Sequence, residues 1–380
     1  MRARQCGARG ILLTDFLKNL GWNDFFSNQL DPAEARDGVF ARVTEEHRNT
    51  YRVICELGDL AAELSGRIRY EAQAGGELPA VGDWVRITPR LNERRATIHA
   101  CLQRRTAFRR KEAGGTSREQ IVAANIDTTF IVCSINRDLN MRRIERYLAM
   151  AWESGSEPVV VLTKTDLCEN VEAERGRIAR AAFGVNIIAV SAHHKSGLQE
   201  LARYFAPGKT AVLLGSSGVG KSTLVNSVAG RELLKTQEIG DDDTGRHTTT
   251  HRQLVVLPGG GLVIDTPGMR ELGMAGHDDV DPASEGSGVS QTFEDLEALA
   301  LQCQFSDCRH TSEPKCAIKA AIDSGELDAS RLINWRKLTR EQQFHEGRSQ
   351  RNAKAWSRQI NRGRRPRDNY AKHPNFGGDL

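Results

Sequence analysis

The run Gly215-Ser216-Ser217-Gly218-Val219-Gly220-Lys221-Ser222 limits what this chain can fold into more than any other feature. It fits G-x-x-x-x-G-K-[ST], follows the apolar segment Ala211–Leu214 and opens a helical stretch, Ser222–Ala229. A phosphate cradle needs that strand–loop–helix setting. Glycines let backbone N–H groups close around phosphate oxygens. Lys221 sets a positive charge against the terminal phosphates, a catalytic as well as a binding role. Ser222 offers a hydroxyl to Mg²⁺ at a helix N-terminus that already favours anions, with Thr223 beside it. Short apolar strands alternate with helices from Thr129 to Asp265, which predicts a buried, mostly parallel sheet in an α/β domain.

Other segments extend this pocket. Asp265-Thr266-Pro267-Gly268 ends the apolar run Leu262–Ile264, putting a carboxylate at the sheet edge where ligands of open α/β folds collect. Asp265 is expected to hold Mg²⁺ through water, and Gly268 to give its N–H to the γ-phosphate. In Gly245–His251, Thr249 is the threonine expected to close over Mg²⁺ and the γ-phosphate, with Thr248 second. Thr163-Lys164-Thr165-Asp166 ends the strand Val159–Leu162. In GTP-binding proteins such a turn reads guanine: Asp166 accepts from N1–H and the exocyclic amine, and Lys164 lies along the base. Adenine lacks that donor pair and would leave a buried carboxylate unsatisfied. Ser191-Ala192, after strand Ile187–Val190, looks like the companion loop whose N–H contacts the guanine oxygen. In most small GTPases the phosphate loop precedes both base-reading segments; here it follows them, which is a circular permutation.

Cys303, Cys308, His310 and Cys316 crowd within 14 residues. Three thiols and an imidazole suit a tetrahedral Zn²⁺ with no position left for water, so a structural zinc is expected. Cys6, Cys55, Cys101, Cys133 and Cys168 read as buried small hydrophobes. The net charge of +4 hides asymmetry. Residues 347–367 carry eight basic side chains and no acid, residues 278–297 carry seven acids and no base, and residues 104–118 are basic. Basic runs attract polyphosphate partners by counterion release. No run approaches the ~18 apolar residues of a membrane span, so no membrane partner is expected. Asp15 and Lys18 interrupt the apolar run after Arg2, Arg4 and Arg9, so a cytoplasmic chain without an export signal is expected.

Residues 11–30 read as an amphipathic helix and turn, residues 38–102 as short strands of a small β-barrel, and residues 105–120 as a mobile linker. The expected organisation is an N-terminal extension (1–36), a barrel (37–104), a permuted GTPase domain (105–274), a zinc-binding domain (275–345) and a basic, disordered tail (346–380).

With these motifs in hand, the chain resembles the RsgA (YjeQ) family of circularly permuted GTPases over about residues 20–345. The resemblance rests on Leu20-Gly21-Trp22-Asn23, Ala123-Ala124-Asn125-Ile126-Asp127, the permuted motifs, His247-Thr248-Thr249-Thr250, and Cys303-x4-Cys308-x-His310-x5-Cys316. It implies an OB barrel, a permuted P-loop GTPase domain and a C-terminal zinc-binding helical domain. It also implies a monomer that binds the 30S subunit and its rRNA, and that hydrolyses GTP to GDP and phosphate, stimulated by that subunit, in late subunit maturation. Two positions depart from the common pattern. Thr163 stands where Asn is commoner. Met269 follows the DxxG turn, where Ras-like proteins carry a water-orienting glutamine. A thioether cannot orient water, so His247, ahead of His251, is expected to take that role. The alternative reading is a nucleotide-gated rRNA-binding module whose hydrolysis is incidental.

Overall fold

The computed structural model describes residues 14–47, 50–73, 76–111, 119–135, 139–234, 252–265 and 288–343. The first strands are β1 (Val39–His47), β2 (Thr50–Cys55), β3 (Gly58–Leu64), β4 (Trp84–Arg90) and β5 (Arg95–Cys101). They pair in the order β1-β2-β3-β5-β4, and β4 returns to β1 and closes the barrel. Only β3 and β5 run parallel, and the helix Gly66–Gln73 spans the barrel between β3 and β4. This is the closed five-stranded OB arrangement. Alternation decides which side chains fill it: Tyr51, Val53 and Cys55 of β2 point inward onto Val43, Leu60, Val85 and Ile98.

Next come β6 (Ala107–Lys111), β7 (Glu119–Ala124), β8 (Thr128–Ser134), β9 (Glu157–Thr163), β10 (Asn186–Ala189), β11 (Thr210–Leu214), β12 (Gln253–Val256) and β13 (Leu262–Asp265). The large sheet has the order β10-β9-β8-β11-β13-β12, parallel throughout except for β12. All residues of β8 and β11 are buried, because helices or other segments cover both sheet faces. The central strand β11, which leads into the phosphate loop, comes after β8, β9 and β10 in the chain. An unpermuted P-loop GTPase uses that strand first.

Three local expectations change. The linker expected over 105–120 instead contributes to the antiparallel pair β6–β7, with Phe108 and Ile121 buried; a hairpin needs only alternate apolar residues, which the basic composition obscured. Not all of residues 38–102 is strand and turn: β3 stops at Leu64, and Ile68 lies on the following helix. In place of the amphipathic helix and turn expected over 11–30, the described residues 14–30 give two short helices, Asp15–Asn19 and Asp24–Ser27, capped by Thr14 and Asn23.

The parts are joined by shared core and buried charge. β1 meets β12 at Glu45 and Gln253, and Arg252 pairs with Glu46 at 3.3 Å. Trp22 packs edge-on against Trp84, with ring centroids 4.8 Å apart. Arg42 is wholly buried, and burial lowers its pKa to about 10. Its guanidinium donates to carbonyls of Leu20, Gly82 and Asn125, tying the N-terminal helices, the barrel and the GTPase sheet together. Residues 288–343 pack on the helix Met141–Glu153. There Arg331 donates to Glu145 (2.8 Å), to Asp295 (2.8 and 3.0 Å) and to the carbonyls of Ala181 and Thr292. Burying this pair without good geometry would cost several kcal/mol, and five hydrogen bonds supply that geometry.

Candidate functional site

The phosphate loop joins β11 to the helix Lys221–Ala229. Gly215 has no room for a side chain: a Cβ there would sit 2.5 Å from the Val132 carbonyl. Gly220 caps the helix at φ 101°, a left-handed conformation that only glycine takes cheaply. Val219 is buried and anchors the loop. Lys221 Nζ donates to the carbonyls of Gly215 (2.8 Å) and Ser216 (2.7 Å), so the ammonium lies over its own loop. Ser222 and Thr223 occupy the first turn of the helix.

The end of β9 reaches this loop. Thr163 Oγ1 donates to the Val219 carbonyl at 2.7 Å, and Lys164 Nζ donates to the Gly218 carbonyl at 3.1 Å. Lys164 takes the left-handed conformation at φ 59°, which turns the chain sharply before Asp166. Ser191 Oγ donates to Asp166 at 2.6 Å and accepts from the His194 N–H at 3.1 Å. That hydroxyl, followed by the exposed carboxylate's own backbone N–H, holds the Asp166 pKa below its ordinary value, with His193 and His194 adding to the effect. Ser191 also pairs with Ser196 across the turn that contains Ala192. Segments around 163–166, 191–192 and 215–223 are thus brought together by hydrogen bonds.

Asp265 ends β13 beside this loop. Burial raises its carboxyl pKa, and Lys221 opposes that rise. His247, Thr248, Thr249, His251, Gly268 and Met269 lie outside the described residues, as do 112–118 and the basic tail from 344 onward. One residue with no sequence signal joins the site: Arg143, from the first turn of Met141–Glu153, donates to Ser216 Oγ at 3.0 Å. Its place in a basic segment looks like any solvated arginine.

The second constellation is the Cys/His cluster. The ligand atoms of Cys303, Cys308, His310 and Cys316 all lie within 4.8 Å of one another. Cys303 and Cys316 sulfurs are 3.8 Å apart, and each is 3.5 Å from His310 Nδ1. Glu313 shapes the loop between the ligands. It accepts N–H groups from Arg309 (3.1 Å), Thr311 (2.8 Å) and Ser312 (3.0 Å), and backbone N–H donation, its own first, lowers its pKa to about 2. The His310 ring packs on Trp335 at 5.8 Å. The group can hold one tetrahedral metal ion. Glu313 escaped sequence reading because it is no ligand; its role is to accept backbone donors.

A phosphate loop hydrogen-bonded to a T-K-x-D turn that precedes it in the chain, on a sheet of this order, defines a circularly permuted P-loop GTPase. The RsgA GTPase family model matches residues 101–275. The small ribosomal subunit biogenesis GTPase RsgA of Opitutus terrae is 44% identical over 340 residues, covering 86% of this chain and 90% of that protein. RsgA 2 of Lactiplantibacillus plantarum is 43% identical, covering 83% and 87%. The crystal structure of YjeQ from Thermotoga maritima superposes with a TM-score of 0.57 at 28% identity, over 80% of this chain and 98% of that one. The chain belongs to the RsgA GTPase family.

Proposed function

We propose that this protein binds GTP with Mg²⁺, hydrolyses it to GDP and phosphate, and does so on the small ribosomal subunit and its rRNA during late maturation. The observation that carries this reading is the hydrogen-bonded chain Asp166–Ser191 and Thr163–Val219, which makes one pocket from segments that are out of order in sequence. Asp166 accepts the guanine donors, its carboxylate kept ionised by Ser191. Lys164 lies between base and phosphate loop. The N–H groups of Gly215–Thr223 and Lys221 take the phosphates, with Lys221 exchanging its two carbonyls for phosphate oxygens. Asp265 fits a cation, since its half-buried carboxylate ends β13 beside the phosphate loop and, among the described residues, Lys221 is the charge that offsets its burial. Ser222, Asp265 and Thr249 would hold Mg²⁺, which supplies charge neutralisation at the β- and γ-phosphates. Gly268 would sense the γ-phosphate, and His247 would orient water in place of the residue at Met269.

The Cys/His cluster fits zinc. Zn–S and Zn–N bonds of about 2.3 and 2.0–2.1 Å at tetrahedral angles require S···S near 3.8 Å and S···N near 3.5 Å, matching the observed 3.8 and 3.5 Å. We assign the barrel to 37–104, the GTPase domain to 105–274 and the zinc-binding domain to 275–345. The names of the relatives, small ribosomal subunit biogenesis GTPases, support the partner. Among the described residues no helix is long and apolar enough to cross a membrane.

The test is GTP turnover with and without purified small subunits. Acceleration of about tenfold or more, or at least 1.4 kcal/mol off the barrier, is expected. Binding to subunits with unchanged turnover would instead favour the nucleotide-gated rRNA-binding module, the reading that Met269 invites.

A further inference from the structure

Outside the nucleotide pocket, the described residues hold an open cleft of about 210 Å³ between the first turns of Met141–Glu153 and the C-terminal helix at 329–343. Its lining is Asn140, Arg142, Arg143, Arg146, Ile333, Asn334 and Lys337: four cations and no acid. The acids nearby are already engaged. Glu341 clamps Arg146 with two contacts of 2.9 Å, and Glu145 lies beneath, held by Arg331 and Asn334. Asp328 accepts the Ser330 N–H at 2.7 Å, and hydrogen bonds from Ser330, with Arg177 and Arg142 adding to them, hold its carboxyl pKa below the ordinary value. Arg142 and Lys337 are exposed, one on each wall. The walls keep their spacing because the buried Arg331–Glu145–Asn334 network fixes one helix on the other.

We propose that this cleft is a binding site for the phosphodiester backbone of RNA, gripped by Arg142 and Lys337 from opposite walls. Converging cations with no lining acid attract phosphate, and the planar guanidinium fork of arginine matches phosphate oxygens. An acidic protein partner is the less favoured occupant: beyond the half-exposed Ile333, the lining offers no apolar or aromatic anchor of the kind that centres protein interfaces. The third cation, Arg143, leans on Ser216 of the phosphate loop. RNA in the cleft therefore shares a side chain with the nucleotide pocket. The inference rests on the ribosomal reading above and gives it an RNA-facing surface joined to the phosphate loop.

The experiment compares two double charge reversals in the full-length protein. R142E/K337E alters the cleft, and R180E/R203E makes the same change in net charge at exposed positions outside it. Affinity for a fluorescein-labelled 20-nucleotide oligouridylate is read by anisotropy across a salt series, with folding checked by circular dichroism melts. The cleft variant should bind at least about tenfold more weakly than the control variant. Its log K against log salt slope should be shallower by about 1.4, the loss of two single-strand phosphate contacts. Equal weakening by the two variants overturns the proposal, as does a wild-type slope in R142E/K337E. Loss of small-subunit binding without any loss of RNA affinity would assign the cleft to a protein partner and also overturn it. GDP binding is measured on the same samples. A protein that binds RNA through the cleft but no guanine nucleotide would refute the GTPase reading and leave the cleft standing.

Discussion

Thr163→Val tests whether the base-reading turn holds the phosphate loop in shape. The Thr163 hydroxyl lies 2.7 Å from the Val219 carbonyl and 3.3 Å from the Cys133 carbonyl, and its single proton belongs to the shorter contact. The side chain is 6% exposed, so water does not replace it. Valine keeps the shape and removes the donor. A buried acceptor left without its partner costs about 1–3 kcal/mol. Val219 sits between Gly218 and Gly220, so the loss acts on the segment that must present N–H groups to phosphate. Carried wholly into binding, 1–3 kcal/mol weakens affinity about 5–150-fold, and about tenfold is expected. The assay is calorimetric titration of GDP with Mg²⁺ in excess, with thermal unfolding run in parallel. Thr163→Ser retains the hydroxyl and should bind within about twofold of wild type, a difference of about 0.4 kcal/mol. The reasoning is refuted if Thr163→Val binds GDP as tightly as wild type. It is also refuted if serine and valine weaken binding equally, because the methyl contact would then carry the effect.

Asp166→Asn should move the preference from guanine to xanthine nucleotides, since the amide oxygen still accepts N1–H while the amide NH2 donates to the 2-carbonyl of xanthine and meets only a second donor in the 2-amino group of guanine; competition binding with XDP and GDP measures this. Purified protein should hold one zinc per chain by elemental analysis, and a strong chelator should abolish the fixed structure of the segment around 303–316, seen as lost amide protection there. Asp127→Asn addresses acid stability. Burial pushes the Asp127 pKa up, but the Thr210 N–H at 2.9 Å, Arg105 and Lys209 hold it below its ordinary value. A lowered folded pKa contributes stability above the unfolded value of about 3.9, lost as pH falls through the folded value. The variant should therefore be less stable than wild type by about 1–3 kcal/mol at pH 6, with the gap closing towards pH 2 in denaturant titrations.

Much of the candidate site was legible because its chemistry is local. A phosphate loop needs glycines, a lysine and a hydroxyl at set spacing after a strand, and Gly215–Ser222 meets that need within eight residues. Four candidate metal ligands within 14 residues announce themselves in the same way. The contacts that support these sites were not legible. Glu313 accepts N–H groups without ligating, and Thr163 works through a main-chain carbonyl 56 positions away.

Sequence alone determined the parallel sheet, the barrel, the permuted order of motifs and the metal ligands, since each follows from side-chain type and near-neighbour spacing. Tertiary structure alone decided which distant backbone groups meet which side chains. Arg42 is one arginine among many until folding sets it against carbonyls 22, 40 and 83 positions away. The hairpin at 107–124 and the cleft between Arg142 and Lys337 arise likewise, from pairing and packing that no short window of residues contains. The physical reason is that burial and charge pairing depend on three-dimensional neighbours, whereas cradles and ligand sets close within a few residues of chain.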